Sequence, residues 1–294
     1  MKLRCRDRRI GFPRRPLIMG IVNINDDSFS GDGTLDTDIV LSLAKQMIEE
    51  GADIIDVGAE SARTNREAIA DAEEVERLRP FLNRFEQMVA NGVRWDETQL
   101  WPPLLSVNTW RPPVVKEILK TGLVDILNDI GGLPDVSNAR LCADAGSALI
   151  LMHTVGPPKV SQTDREWEDV VGELIGFFSL KMEEAADAGL PREQIVLDPG
   201  IDFAKQRDDN LTVYRELEGL QRFGRPVLLP VSRKTVIGDV LRIKDPAERD
   251  AGTIACAVSG AMRGAQILRV HNVEAVAKSL KVVDLFRSGS SSTE

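Results

Sequence analysis

The stretch DIVLSLAKQMIEEGADIIDVGA, residues 38–59, decides the fold. Its first part spaces apolar residues three or four apart, the pattern of a helix that covers something on one face. Gly51 then stands where such a helix exits. The remainder, DIIDVGA (53–59), is a short β-branched apolar run, as expected of a strand buried on both faces of a parallel sheet. The same alternation extends in both directions. Upstream lies PLIMGIVN (16–23); downstream lie LLSVNT (104–109), DILNDI (125–130), ALILMH (148–153), IVLDPG (195–200), PVLLPVS (226–232) and QILRVH (266–271). Helical segments such as AEEVERLRPFLNRFEQMV and WEDVVGELIGFFSLKMEEAADAG separate them, and Gly122, Gly146, Gly189 and Gly224 mark further exits. Eight strand-then-helix units match the size of an α/β (β/α)8 TIM barrel in a single domain. An open doubly wound sheet is the alternative, but no GxGxxG turn follows the first strand. The barrel is favoured.

Around this barrel (16–287) the reading sets a basic arm at 1–15, taken as a solvated terminus, and a disordered tail at 288–294. The arm invites nucleic acid, but a formal net charge of −9 over 294 residues argues against that partner. No apolar run approaches the ~20 residues of a membrane span, and no apolar core follows the arm as in a secretory signal. Cys5, Cys142 and Cys256 stand too far apart for a disulfide or zinc framework, so a reducing cytoplasm is expected. Two connections are long for βα loops, NINDDSFSGDGTLDTD (23–38) and ESARTNREAIAD (60–71), as lids and binding loops are. The insertion NGVRWDETQLWPP (91–103) falls on the opposite, stability face.

In a barrel, chemistry belongs at the C-terminal strand ends. Read in order, these carry Asn23, then Asp56 with Glu60 and Arg63, then Asn108, Asn128 with Asp129, His153, Asp198, the run Ser232–Arg233–Lys234, and finally Arg269 and His271. Amide and carboxylate groups at Asn108, Asn128 and Asp198 suit a flat, nitrogen-rich heterocycle. Arg63, Lys234, Arg269 and His271 form a cationic set suited to phosphate or diphosphate. Zinc lacks its ligands here, whereas an oxygen-liganded Mg2+ carried by a diphosphate is compatible with Asn23. Asp56 has a plain alternative as a satisfied buried carboxylate, and Asp129 as a turn cap.

Eight segments now make a specific resemblance: MGIVNINDDSFSGDG (19–33), GADIIDVGAESAR (51–63), LSVNTW (105–110), DILNDIGG (125–132), LMHTVG (151–156), LDPGIDFAK (197–205), PVLLPVSRKTVIG (226–238) and RVHNV (269–273). In order and spacing they resemble the dihydropteroate synthase family. The resemblance implies a TIM barrel that joins 4-aminobenzoate to a hydroxymethyl-dihydropterin diphosphate, with loss of diphosphate, in a sulfonamide-sensitive homodimer. It places Asn23 on Mg2+ and diphosphate, and Asn108, Asn128, Asp198, Phe203 and Lys234 on the pterin. Arg269 and His271 become the anion pair, and Ser232 lies beside the aminobenzoate. Asp27, Ser28 and Phe29 fall in the first mobile loop, and Ser61 and Arg63 in the second. Asp27, Phe29, Arg63 and Lys234 are the catalytic group. The implied mechanism is dissociative, with the pterin methylene cation captured by the aniline nitrogen.

The chain departs from that family at several points. Asn108 stands for the usual Asp, Asn25 and Asp26 for Thr and Pro, Ala62 for Thr, and Asp202 is added near the expected pterin stacking face. Two other readings therefore stand beside the synthase. One is a corrinoid-dependent pterin-binding methyltransferase; the other is a pterin-binding homologue without turnover. The loop at 24–36 is expected to be open without ligand and to close over the site.

Overall fold

The computed structural model describes residues 1–25, 33–60, 67–160, 162 and 165–288. Ten strands and nine α-helices are found among them: a hairpin of β1 (Lys2–Cys5) and β2 (Arg8–Gly11), then eight strand–helix units. The units are β3 (Leu17–Asn23) with α1 (Thr37–Glu50), β4 (Ile54–Gly58) with α2 (Asp71–Ala90), β5 (Leu104–Asn108) with α3 (Pro112–Leu119), and β6 (Ile126–Asp129) with α4 (Ser137–Ala145). They continue as β7 (Ala148–Met152) with α5 (Val170–Asp187), β8 (Ile195–Asp198) with α6 (Arg207–Arg215), β9 (Leu228–Pro230) with α7 (Thr235–Leu241) and α8 (Asp250–Met262), and β10 (Ile267–Val270) with α9 (Val273–Ser288). The eight strands are parallel in the order β8-β7-β6-β5-β4-β3-β10-β9. A single parallel bridge, Leu197 to Val227, closes the ring. Every strand expected from sequence is present, with ends trimmed by one or two residues. No helix among the described residues is long and apolar enough to cross a membrane.

The period-2 alternation of each strand sorts its residues into two cores. Ile18, Val22, Ile55, Val57, Leu105, Val107, Leu127 and Leu149 face outward, into the layer shared with Leu41, Ile48, Leu78, Phe81 and Phe178 of the helices. Leu17, Met19, Ile54, Leu104, Ile126, Ile150, Val196, Leu228 and Ile267 face inward and form an apolar floor. One step further toward the strand ends, the inward positions turn polar. That change of chemistry along the axis makes the barrel a cup with a greasy base.

The N-terminal arm corrects the expectation of a solvated terminus. Residues 2–11 pair as an antiparallel hairpin in which Leu3 faces Ile10 and Cys5 faces Arg8. Leu3, Cys5, Ile10 and Phe12 are buried and join the apolar floor, plugging the N-terminal mouth of the barrel. The charges of the arm lie on its outer side: Arg4 pairs with Glu193, and Arg8 donates to the Pro102 carbonyl. The insertion at 91–103 does lie on this stability face. Gln99 donates to the carbonyls of Ile48 and Ala52 (2.8 and 3.1 Å). Arg15 makes a two-pronged pair with buried Asp53 (2.8 and 2.9 Å), which also accepts from the Ile18 and Leu100 amides. Cys5 and Cys142 are buried thiols whose pKa burial raises far above the ordinary range, so neither is a nucleophile; Cys256 is half-buried.

Candidate active site

Just above the floor lies a layer of hydrogen-bonded side chains centred on Asp56. This carboxylate on β4 is fully buried. It accepts from the Ser106 hydroxyl on β5 (2.6 Å), from the Asn128 amide on β6 (3.0 Å) and from Arg269 Nε on β10 (2.7 Å). Asn108, paired with Asn128 across β5 and β6, ends its strand half-buried at the next level. Asn23 does the same on β3.

Asp198 faces the same space from β8 and is 3% exposed. One oxygen accepts the Gly200 amide at 2.7 Å. Burial pushes its pKa up to about 6, against the lowering pull of that amide and of the Lys234, Arg269 and Lys205 cations. The DPG turn after β8 brings Phe203 under the Lys234 ammonium, 5.1 Å from the ring centroid, while Lys234 donates to the Ile201 carbonyl at 2.9 Å. Burial lowers the Lys234 pKa, partly offset by Asp202 and Asp198. Gly200 has φ +67°, and a Cβ there would lie 2.0 Å from the His153 carbonyl oxygen. Only glycine fits that turn.

One expectation changes here. His271 is not a cation: burial, then Arg269 and Arg233, depress its pKa to about 3, and its Nδ1 lies 2.7 Å from Ser232 Oγ. Arg269 is committed through Nε to Asp56, so the anion pair reduces to its remaining guanidinium nitrogens. Asp202 accepts from the Thr235 and Val236 amides at the start of α7 (2.5 and 3.3 Å), which ties the turn after β8 to the loop after β9. Asp129 is a turn cap, bonded to the Gly131 amide and Asn138.

Asn23, Asn108, Asn128, Asp198, Phe203, Ser232, Lys234, Arg269 and His271 thus all stand on the last residues of inward strands or in the loops leaving β8, β9 and β10. Asp27, Ser28, Phe29, Ser61 and Arg63 lie outside the described residues, as does most of the expected lid. Two contributors escaped the sequence reading. Lys205 is buried, with its ammonium on His153 Nδ1 (2.8 Å) and on the Gly200 and Phe203 carbonyls (both 3.1 Å), so it holds the DPG turn. Ser106 completes the base of the polar layer beside Asp56, which the strand-end reading did name. Its signal was available, since it is a polar residue at an inward position of an otherwise apolar strand.

Comparison with known proteins agrees with this geometry. Residues 19–271 match the family described as pterin binding enzyme. Dihydropteroate synthase of Neisseria meningitidis serogroup C is 37% identical over 271 residues, covering 91% of each chain. The solved structure of Yersinia pestis dihydropteroate synthase in a sulfonamide drug complex superposes with a TM-score of 0.86 at 33% identity, covering 98% of this chain and 100% of that one. That of Xanthomonas albilineans with 4-aminobenzoic acid gives 0.84 at 32%, covering 98% of both. With a matching barrel, a family match over residues 19–271 and near-complete coverage, this chain belongs to the dihydropteroate synthase family of pterin-binding enzymes.

Proposed function

We propose that this protein is a transferase that joins 4-aminobenzoate to 6-hydroxymethyl-7,8-dihydropterin diphosphate, giving 7,8-dihydropteroate and diphosphate for folate synthesis. The observation that carries the reading is the polar layer above a closed apolar floor. Asn128 Oδ1 is buried without a hydrogen-bond partner among the described residues, and the Asp198 carboxylate is buried at an inward position of β8. Together they offer acceptors to the N–H donors of an aminopyrimidine edge. Phe203 and Lys234 supply a ring face and a cation at the same depth. As the methylene–oxygen bond breaks, positive charge on the pterin would be met by Asp198, and negative charge on the leaving group by Arg269 and Lys234.

A Mg2+ site fits as a shared one. Among the described residues no cluster of three or more His, Cys, Asp or Glu side chains is arranged for a metal. The Asn23 amide oxygen is one hard donor at the cup's rim, suited to a cation that takes its other ligands from diphosphate and water. Bound there, it would help neutralise the leaving group. A sulfonamide would compete at the aminobenzoate position beside Ser232. The protein is expected to be cytoplasmic, and to be a homodimer in view of Met262 on α8 and Leu285 and Phe286 on α9, which are 69%, 72% and 80% exposed. Sedimentation would check that state.

The decisive assay is incubation of pure protein with pterin diphosphate, 4-aminobenzoate and Mg2+, with chromatographic detection of dihydropteroate. Product supports the reading. Tight pterin binding without product would instead assign the chain to the binders without turnover, with Asn108 the first suspect.

A further inference from the structure

Asp56 touches no surface and ends no strand, yet its three neighbours are all donors. The Arg269 guanidinium cannot accept a hydrogen bond, and an ionised carboxylate has none to give. The Asn128 amide must therefore turn its NH2 toward Asp56 Oδ2, where it sits at 3.0 Å. Its oxygen is then left facing elsewhere, buried and without a partner, on a residue only 2% exposed. An asparagine by itself presents either polarity; an acceptor-only neighbour removes the choice. Ser106, at 2.6 Å from Asp56 Oδ1, and Arg269, at 2.7 Å from Oδ2, hold the carboxylate in place.

We infer that Asp56 is a positioning residue that fixes the polarity of Asn128 and so sets the selectivity of the pocket for a 2-amino-4-oxo pteridine over a 2,4-dioxo one. The inference rests on the pterin reading above and deepens it. A 2-amino group and N3–H donate toward Asn128 Oδ1 and Asp198. A 2-oxo group would set a lone pair against those acceptors. Sites built to hydrogen-bond a ligand reject analogues that leave their buried groups unpaired.

The test compares binding of 6-hydroxymethylpterin and 6-hydroxymethyllumazine, both without diphosphate so that the anion site is not read. Asp56→Asn keeps the shape but can donate to Asn128 Oδ1, which lets the amide turn over. The preference for pterin over lumazine should fall at least tenfold. Arg269→Gln breaks the same ion pair while sparing the Asp56–Asn128 contact, and should keep the wild-type preference. Equal weakening of both ligands by Asp56→Asn, or an equal loss of preference in Arg269→Gln, would overturn the inference. Neutron diffraction from wild-type crystals with the pterin reads the same point without a variant. Deuterons of Asn128 Nδ2 directed at Asp56 support it, and deuterons directed at the ligand refute it. Should wild type bind neither pteridine, the pterin reading itself falls, and this inference with it.

Discussion

Asp198 is asked to be an anion in a place that disfavours anions. Burial raises its pKa to about 6, so the folded protein holds the proton more tightly than the unfolded chain, whose value is near 3.8. A raised folded pKa means that stability is greatest below the unfolded value and is lost as pH rises through about 6, a cost on the order of 2–3 kcal/mol. Function runs the opposite way, because only the ionised form accepts from two ligand N–H groups. Pterin affinity should therefore weaken as pH falls through about 6, and Asp198→Asn should bind weakly with no such limb. A pH series of binding in both proteins checks this; a flat wild-type curve would refute it. Arg269→Ala exposes another buried anion, since it strands Asp56. It should lower stability by about 3–5 kcal/mol, as broken buried pairs do, in addition to weakening diphosphate binding. Denaturant melts and calorimetric titration separate the two effects. Most of this site was legible in the sequence because polar residues at strand ends are conspicuous among apolar neighbours. What stayed hidden were charge states and partners. Nothing in the string RVHNV says that Arg269 reaches past β3 to Asp56 on β4, or that burial depresses the His271 pKa.

Among the elements, the hairpin is the one that sequence reading missed, and the reason is physical. Arg4, Arg6, Arg8 and Arg9 dominate the composition of the arm, and a charged terminus reads as solvated. Yet Leu3 and Cys5 alternate with charged residues on one strand, and Ile10 and Phe12 flank Gly11 at the end of the other, which is the half-buried strand pattern. The eight barrel strands were readable because burial on both faces leaves runs of β-branched residues that little else explains. The lone hairpin covers the apolar floor where a barrel would otherwise open to water. Leu3 is 0% exposed, and Leu3→Ala should cost about 2–5 kcal/mol in urea unfolding. Removing residues 1–12 should cost more and expose the floor to a hydrophobic dye, while kinetic constants of the surviving folded fraction stay near wild type. Unchanged stability after truncation would show that the floor is sealed by other means.

Across the molecule, three loops at the C-terminal rim are tied by one buried charge network. Glu60, just after β4, pairs with Arg111, after β5 (2.7 Å), and with Lys159, after β7 (2.9 Å). Arg111 also holds Glu74 and Asp71 at the start of α2, and Lys159 reaches the Glu67 carbonyl at 2.9 Å. Glu60 and Glu74 side chains are 2% and 1% exposed, so water offers them almost nothing. Burial raises the Glu74 carboxyl, with the Arg111 hydrogen bond as the largest opposing influence. Arg111→Met keeps the apolar stem but leaves Glu60 with Lys159 and strips Glu74 of its cation. Stability at neutral pH should fall by about 3–5 kcal/mol. The pH dependence gives the sign. Without Arg111 the folded pKa of Glu74 rises further, so the stability it lends is lost as pH rises, and the variant's deficit should shrink toward acidic pH as it takes up a proton. Urea melts of both proteins at several pH values read this directly. Because the network frames the second long loop, amide exchange of residues 67–71 should also quicken, and kcat/KM should drop although Arg111 touches no residue of the pterin layer. A deficit of equal size at every pH would mean that Arg111 acts by packing and not by charge.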